Sequence, residues 1–183
     1  MATDAGAPGM ASTAGADPAS IQLSSKPSRI NHKDLKFLIM DRPTEFNLPA
    51  YLRELKKAGV TDIVRVCEQT YSASEVKKAG IDMHEIPFDD GQSPPDHVVE
   101  TWMGVVANMR SKGGCIAIHC VAGLGRAPVL VAIALIEHGM GSLEAVEFIR
   151  KERRGAINRK QLDFLMKYTP KYGSGKGCAC AIM

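Results

Sequence analysis

The chain has 183 residues, of which 45% are hydrophobic, and a formal net charge of +3. This length accommodates one globular domain with tails, and the small charge without an aromatic-rich basic stripe argues against nucleic-acid binding. No stretch of roughly eighteen apolar residues occurs, and no basic segment followed by an apolar one begins the chain. Neither a transmembrane helix nor a secretory signal is therefore predicted.

The cysteines are odd in number and irregularly spaced, at Cys67, Cys115, Cys120, Cys178 and Cys180. This pattern argues against a disulfide framework and favours a reducing compartment. No Cys-x-x-Cys pair suggests zinc. We expect neither a metal nor a cofactor.

The composition divides the chain into a low-complexity segment over residues 1–27, a domain over 28–171 and a flexible tail over 172–183. The first segment has too few apolar side chains to offset the entropy of ordering, so it is predicted to be disordered. Order is predicted to begin near Ser28.

Within the domain, strands alternate with helices, which predicts an α/β fold with a mostly parallel central sheet flanked by helices. The predicted caps are Asn47, Ser142 and Asn158. Strands are predicted over residues 35–40, 61–67, 81–87 and 115–118. Helices are predicted over 48–58, 74–79, 95–109, 128–136, from Ser142 to about 149, and from Asn158 to about Tyr168.

The stretch HCVAGLGR, His119–Arg126, lies between the strand 115–118 and the helix that carries Pro128 in its first turn. Backbone N–H groups on such a turn converge with the helix N-terminus on one point, which suits a phosphate. Val121, Ala122, Gly123, Leu124 and Gly125 are the predicted substrate-binding residues. The alternative is that Cys120 is a small buried hydrophobe and that Arg126 lies at the surface.

The chemistry of this stretch is phosphoryl transfer to sulfur. The thiolate of Cys120 is the nucleophile, and the helix N-terminus, the N–H donors and Arg126 favour that anion. Arg126 can bind two phosphoryl oxygens through charge-assisted bonds. His119 is predicted to order the loop and to lower the pKa of Cys120 rather than to contact substrate. A phosphocysteine intermediate then divides hydrolysis into two displacements. Cys115, within an apolar strand, is predicted to be a core residue.

A leaving alkoxide or phenoxide needs a proton, which Asp89 or Asp90 could supply from a turn between Phe88 and Gly91. From the pattern alone, the alternative is a solvated turn at the surface.

The stretch His119–Arg126 with its flanks resembles the dual-specificity branch of the cysteine-dependent phosphatases. The longer run CVAGLGRAPVLVA, residues 120–132, is similar to the phosphatase of regenerating liver family of prenylated tyrosine phosphatases. Further matching runs are VRVCE (64–68), PFDDG (87–91), RRGA (153–156) and KQ (160–161). The resemblance covers about residues 28–171 and the last four.

The resemblance implies a cysteine-phosphatase fold and a phosphotyrosine phosphatase, with phosphoserine or phosphothreonine as further substrates left open. It implies that Asp90 is the general acid, with Asp89 as a structural neighbour and Gln161 as a supporting residue. It also implies a reversible disulfide between Cys67 and Cys120, which is typical of a redox-sensitive thiolate.

Ala127 stands where most cysteine phosphatases have Ser or Thr, and it is shared with this family. Without that hydroxyl, we expect slow dephosphorylation and a persistent intermediate. The chain departs from the family at Ile86, where a Trp is usual. Its basic stretch before the terminal cysteines is reduced to Lys167, Lys171 and Lys176, and its low-complexity N-terminus is longer than usual.

The terminal Cys180-Ala181-Ile182-Met183 is a prenylation signal, and the final Met favours farnesylation of Cys180. Removal of residues 181–183 and methylation would follow. Because one lipid gives marginal anchoring, a second signal is expected, either acylation of Cys178 or the lysines. We expect the cytoplasmic face of the plasma membrane or endosomes, with a soluble cytoplasmic pool.

The sequence leaves other functions open. The main alternative is a slow enzyme that chiefly binds magnesium transport mediators, as the resemblance implies. An inositol phospholipid phosphatase usually has basic residues within the loop, where Val121 and Leu124 are apolar. A rhodanese or an arsenate reductase shares the Cys-x5-Arg spacing but not the upstream acid. The physiological substrate and homo-oligomerisation stay open.

Overall fold

The computed structural model describes Leu23 and residues 25–173. The predicted disordered segment, apart from its last residues, and nearly all of the predicted tail lie outside the described residues. The strands are β1 (Ser28–His32), β2 (Leu35–Met40), β3 (Asp62–Arg65), β4 (Asp82–Glu85) and β5 (Ile116–His119). The helices are α1 (Leu48–Lys57), α2 (Ala73–Lys78), α3 (Asp96–Lys112), α4 (Arg126–Glu137), α5 (Ser142–Glu152) and α6 (Arg159–Lys167).

The five strands form one sheet in the order β1-β2-β5-β3-β4. All neighbouring strands run parallel except β1, which pairs antiparallel with β2 at the edge. The predicted mostly parallel α/β sheet is confirmed. Strand β1 was not predicted as a strand because Ile30 is the only apolar residue in its sequence, Ser-Arg-Ile-Asn-His, so the sequence shows no alternation of apolar and polar residues.

Helices cover both faces of the sheet, and the alternation of side chains along the strands decides which face each residue meets. Phe37 and Ile39 of β2 face the larger core, which α3, α4, α5 and α6 cover. Leu38 and Met40 face the smaller core under α1 and α2. Every residue of α4 is buried, which is why its sequence is apolar between the terminal residues Arg126 and Glu137.

The helix caps agree only in part with prediction. Asn158 caps α6 as predicted, because its Oδ1 accepts from the Gln161 N–H at 2.8 Å. Asn47 occupies the cap position of α1, but its Oδ1 accepts instead from the Thr44 N–H at 2.7 Å. The prediction that Ser142 caps α5 is wrong. The extended residue there is Gly141, whose N–H donates to Glu144 Oε2 at 3.4 Å, so Ser142 already lies in the first turn.

Two strands are shorter than predicted, because burial continues after regular pairing ends. Val66 and Cys67 follow β3 and are buried, as are Ile86 and Phe88 after β4. Helix α3 extends beyond the predicted Met109 to Lys112 and ends at Gly113, whose φ is +65°. No described helix has both the length and the apolar character needed to span a membrane.

The parallel strands β2, β3, β4 and β5 all end at the same edge of the sheet, as parallel strands must. Loops that follow carboxyl ends of parallel strands commonly form binding sites. The loop that follows β5 is the predicted phosphate-binding loop, so the fold brings the candidate residues to this edge.

Candidate active site

The phosphate-binding loop, residues 119–126, connects β5 to α4. Cys120 is buried, with 3% of its surface exposed, and Arg126 is the first residue of α4. Gly123 has a φ of +68°, and a Cβ at this position would lie 2.4 Å from the Met40 carbonyl oxygen. The loop therefore requires glycine at 123, both for the backbone conformation and for the close approach of β2.

Arg153 binds the loop from outside. Its Nε donates to the Gly123 carbonyl oxygen at 2.9 Å, and its Nη2 donates to the Ala122 carbonyl oxygen at 2.8 Å. These bonds hold two carbonyls away from the loop interior, which leaves the peptide N–H groups for an anion. Burial lowers the pKa of Arg153, while the charges of Asp41 and Cys120 raise it. The Arg153 guanidinium therefore interacts electrostatically with the nucleophile.

The Arg126 side chain is buried and directed toward the predicted acid. Its Nη1 donates to the Phe88 carbonyl oxygen at 3.1 Å. Its Nε lies 3.2 Å from Asp90 Oδ1, but this ion pair lacks hydrogen-bond alignment. Within the described part of the chain, the buried Nε has no hydrogen-bond partner, which leaves a donor for a phosphoryl oxygen.

The acid loop, Asp89–Gln92, is held against the start of α6. Asn158 Nδ2 donates to the Gly91 carbonyl oxygen at 3.4 Å, and Gln161 Nε2 donates to that of Gln92 at 3.4 Å. Lys160 Nζ also donates to Gln92 Oε1. These contacts hold the acid loop over the phosphate-binding loop.

The two predicted acids occupy different positions. The Asp90 carboxylate forms an ion pair with Arg126, and its Oδ1 accepts a hydrogen bond from the Gly91 N–H at 3.0 Å. The Asp89 side chain is exposed and forms no ion pair or hydrogen bond with a described residue. The geometry therefore favours Asp90 as the general acid, as the resemblance implied.

Gln161 connects the two loops and is fully buried. A Cβ on Gly125 would lie 3.3 Å from Gln161 Nε2 and 3.9 Å from Asp90 Oδ1. The side-chain amide of Gln161 therefore lies between the acid loop and the phosphate-binding loop. The supporting role that the resemblance implies for Gln161 stays a prediction.

His119 orders the loop through hydrogen bonds rather than through charge. Burial lowers its pKa to about 4, so the imidazole is neutral at neutral pH. Burial raises the pKa of Tyr71 well above its ordinary value, so the Tyr71 hydroxyl keeps its proton and donates to His119 Nε2 at 2.6 Å. His119 Nδ1–H then faces the Cys120 carbonyl oxygen at 3.2 Å.

Sequence reasoning missed the roles of Arg153 and Tyr71. Arg153 lay in a run that matches the family, but nothing in its spacing connects it to residues 122 and 123. Tyr71 lies in a loop without a regular pattern. Both act through contacts between segments distant in the chain, which no local signal encodes.

Cys67 lies beside the nucleophile. The register pairs Arg65 with His119, so the residues that follow each strand are neighbours, and Cys67 Sγ is 3.9 Å from His119 Nδ1. Burial raises the pKa of Cys67; Arg126 lowers it and Cys120 raises it. Both thiols are free in this structure. The disulfide with Cys120 stays a prediction.

The remaining cysteines have separate outcomes. Cys115 packs in the smaller core, as predicted, and burial raises its pKa to about 11. Cys178 and Cys180 lie outside the described residues. No group of three or more potential metal ligands occurs among the residues that the structure describes.

Two apolar side chains of the phosphate-binding loop are exposed, Val121 by 37% and Leu124 by 39%. They border a groove of about 540 Å³ that Ser25, Asp41 and Arg154 also line. This groove beside the loop is therefore partly apolar and carries one exposed guanidinium, but Cys120, Arg126 and Asp90 do not line it.

Comparison with known proteins gives consistent matches. The profile of a family described as "Polymorphic toxin system, DSP-PTPase phosphatase" matches residues 40–140. Protein tyrosine phosphatase type IVA 3 from Bos taurus is 52% identical over 147 residues, which cover 79% of this chain and 85% of that protein. A probable protein tyrosine phosphatase type IVA A from Dictyostelium discoideum is 49% identical over 163 residues, covering 88% and 96%.

The structure of a protein tyrosine phosphatase from Leishmania major superimposes with a TM-score of 0.73 at 41% identity. The match covers 79% of this chain and 99% of that one. The predicted cysteine-phosphatase fold is therefore confirmed.

Proposed function

Because the chain belongs to the protein tyrosine phosphatase type IVA family of cysteine-dependent phosphatases, we propose that it hydrolyses phosphotyrosine in proteins through a phosphocysteine intermediate at Cys120. The family is the one that the sequence resembled. The observation that carries the proposal is the buried Nε of Arg126, which has no hydrogen-bond partner among described residues and lies between the nucleophile loop and Asp90.

In the first step, the Cys120 thiolate attacks phosphorus, and the bond from phosphorus to the tyrosyl oxygen breaks. The N–H groups of residues 121–125 and the Arg126 guanidinium bind the phosphoryl oxygens. Asp90 donates its proton to the departing phenolate.

In the second step, water attacks the phosphocysteine, Asp90 accepts a proton from that water, and the thiolate leaves. Ala127 is fully buried and offers no hydroxyl to stabilise the departing thiolate. This step is therefore the slow one.

The lining of the site supports an aromatic substrate with a single phosphate. Val121 and Leu124 present apolar surface to a flat ring. An inositol phospholipid with several phosphates would need additional cations within the loop, where this chain has apolar residues and glycines. Comparing kcat/KM for phosphotyrosine, phosphoserine and phosphothreonine peptides tests whether the specificity is dual.

The test of the acid separates two neighbouring carboxylates. Asp90→Ala should depress turnover of an aryl phosphate with a poor leaving group far more than one with a good leaving group, because only the former needs a proton. Asp89→Ala, the matched control, should affect both equally and weakly. Equal losses for both substrates in Asp90→Ala would remove Asp90 from this role.

We further propose that farnesylation of Cys180 tethers the enzyme to the cytoplasmic face of the plasma membrane or endosomes, with a soluble cytoplasmic pool. The support is the sequence Cys-Ala-Ile-Met at residues 180–183. Incorporation of a labelled farnesyl analogue should occur in the intact chain and be lost in Cys180→Ser. Incorporation that persists in Cys180→Ser would refute this assignment.

A second function is favoured by one observation, the combination of buried Ala127 with the exposed apolar side chains of Val121 and Leu124. Slow turnover and an apolar rim also suit a protein that binds magnesium transport mediators at the same pocket. Expressing Cys120→Ser in cells distinguishes the two functions. If the variant still produces the cellular phenotype of the wild-type protein, binding is favoured, and if that phenotype is lost, catalysis is favoured.

A further inference from the structure

We propose that the end of the domain opposite the phosphate-binding loop is a docking surface for anionic lipid headgroups. This basic face consists of Lys33, Lys36, Lys56 and Lys77 together with the paired cations around them. The proposal deepens the membrane tether proposed above and supplies the second signal that a single lipid chain needs. It rests on the topology, on the ion pairs and on the position at which the tail leaves the domain.

The topology gathers basic side chains at one end. Strands β2, β3, β4 and β5 begin at the edge opposite the phosphate-binding loop, and α1, α2 and α3, which precede β3, β4 and β5, end there. The last turns of these helices carry Lys56, Lys57, Lys77, Lys78, Arg110 and Lys112. The hairpin between β1 and β2 adds Lys33 and Lys36 at the same end.

Carboxylates neutralise only part of this charge. Ion pairs join Lys57 to Glu54, Lys78 to Glu75, Arg110 to Asp34 and Lys112 to Asp82. Lys33, Lys36, Lys56 and Lys77 are exposed, and none forms an ion pair with a described residue. Four positive charges therefore remain directed to solvent.

Favourable interaction with helix carbonyls explains lysines in the last turns of α1 and α2. It does not explain Lys33, in the turn between β1 and β2, or Lys36, near the start of β2. The charge is thus a property of the whole end of the domain rather than of individual helices.

The tail leaves the domain at this same face. The buried carboxylate of Glu137, at the end of α4, accepts from the Tyr168 hydroxyl at 2.6 Å, the Lys171 N–H at 2.8 Å and the Tyr172 N–H at 2.7 Å. Gly173 packs against the backbone of Glu137 so closely that a Cβ would lie 1.9 Å from its carbonyl oxygen.

Gly173 and Lys33 line one cavity of about 610 Å³. Cys180 follows Gly173 by seven residues in the sequence, a span of at most about 25 Å. A lipid on Cys180 thus enters the membrane close to the basic face.

This arrangement predicts an orientation. Helix α4 has 12 residues, about 18 Å in length, and separates Arg126 of the phosphate-binding loop from Glu137 at the tail. With the basic face on the membrane, the active site is directed away from the bilayer, toward soluble phosphoproteins.

The experiment measures binding of the full chain to vesicles, first without and then with farnesylation. Phosphatidylcholine vesicles with and without phosphatidylserine serve as probes. The variant is Lys33→Gln, Lys36→Gln, Lys56→Gln and Lys77→Gln combined. The control combines Lys26→Glu with Lys151→Glu, two exposed residues near the phosphate-binding end. Both changes lower the formal net charge from +3 by four, so net charge alone does not distinguish them.

The unmodified chain should bind phosphatidylserine vesicles, with an affinity that falls as salt rises. The fourfold variant should lose at least tenfold in affinity, since each basic residue near an anionic surface contributes about fivefold. The control should lose less than about threefold.

Equal losses in variant and control, or unmodified protein that binds both vesicle types alike, would overturn the proposal. The vesicle-binding measurement uses unmodified protein, so its result tests the basic face even if Cys180 is not farnesylated. A second readout tests orientation. Vesicle binding should leave kcat/KM for a small soluble aryl phosphate unchanged, whereas a loss would show that the active site faces the membrane and would overturn the proposal.

Discussion

Replacement of Arg153 tests whether the phosphate-binding loop depends on a residue that never touches substrate. Arg153 donates to the carbonyl oxygens of Gly123 and Ala122 at 2.9 and 2.8 Å. Arg153→Met keeps much of the aliphatic volume but removes the donors. Hydrogen bonds to a charged group contribute about 1.5–3 kcal/mol each, so the loss of two should lower the free energy of unfolding by about 3–6 kcal/mol.

The effect on catalysis should exceed the effect of stability alone. With two carbonyls released, the loop loses the orientation of its N–H groups, so kcat/KM should fall at least tenfold under conditions where the variant is folded. Affinity for orthovanadate, which occupies a phosphate site, should fall in parallel. Arg153→Lys should recover part of both losses, because one ammonium can meet one of the two carbonyls but not both.

Urea-induced unfolding, followed by circular dichroism, measures the first quantity, and steady-state kinetics with vanadate inhibition measure the others. Lys151→Met, on the exposed side of α5, is the control and should change neither. If Arg153→Met unfolds more easily yet keeps wild-type vanadate affinity and kcat/KM, Arg153 supports the fold but does not shape the loop.

Three further predictions concern redox state, turnover and pH. Oxidation by hydrogen peroxide should be reversed by dithiothreitol in the wild type but not in Cys67→Ser; irreversible loss in the intact protein would count against the disulfide. Ala127→Ser should hasten dephosphorylation of the intermediate and raise kcat, and an unchanged kcat would mean that another step limits turnover. His119 has a folded pKa of about 4, below its unfolded value of about 6.5. The unfolded chain therefore binds the extra proton, and stability falls as pH drops from about 6.5 toward 4. Urea unfolding should show about 2 kcal/mol of this loss between pH 7 and pH 5, and His119→Gln should flatten that slope; an equal slope in the variant would contradict the buried neutral imidazole.

Local chemistry made much of this molecule predictable. A short apolar strand, a glycine-containing turn and an apolar helix place Cys120 and Arg126 without any long-range information. The capping box at Asn158 likewise follows from four consecutive residues. The edge strand β1 was not recognised because Ile30 is its only apolar residue, and its pairing depends on β2 rather than on its own pattern.

What the sequence could not show depends on contacts between distant segments. Arg153 donates to Gly123 and Ala122, which precede it in the chain by 30 and 31 positions. Tyr71 contacts His119, which follows it by 48 positions. The residue pattern alone did not distinguish Asp89 from Asp90; the family resemblance implied Asp90, and its role as the acid stays a prediction. Their sequence context is nearly the same, and only the docking of the acid loop on α6 turns Asp90 toward Arg126.

The most direct test of the central claim is acid quenching of the full-length enzyme during turnover of a phosphotyrosine peptide, followed by mass spectrometry. We expect the peptide containing Cys120 to carry one phosphoryl group and to accumulate, because Ala127 provides no hydroxyl. Cys120→Ser should neither turn over substrate nor accumulate this species. Sustained turnover without phosphate on Cys120, or phosphate on a different residue, would contradict the central claim.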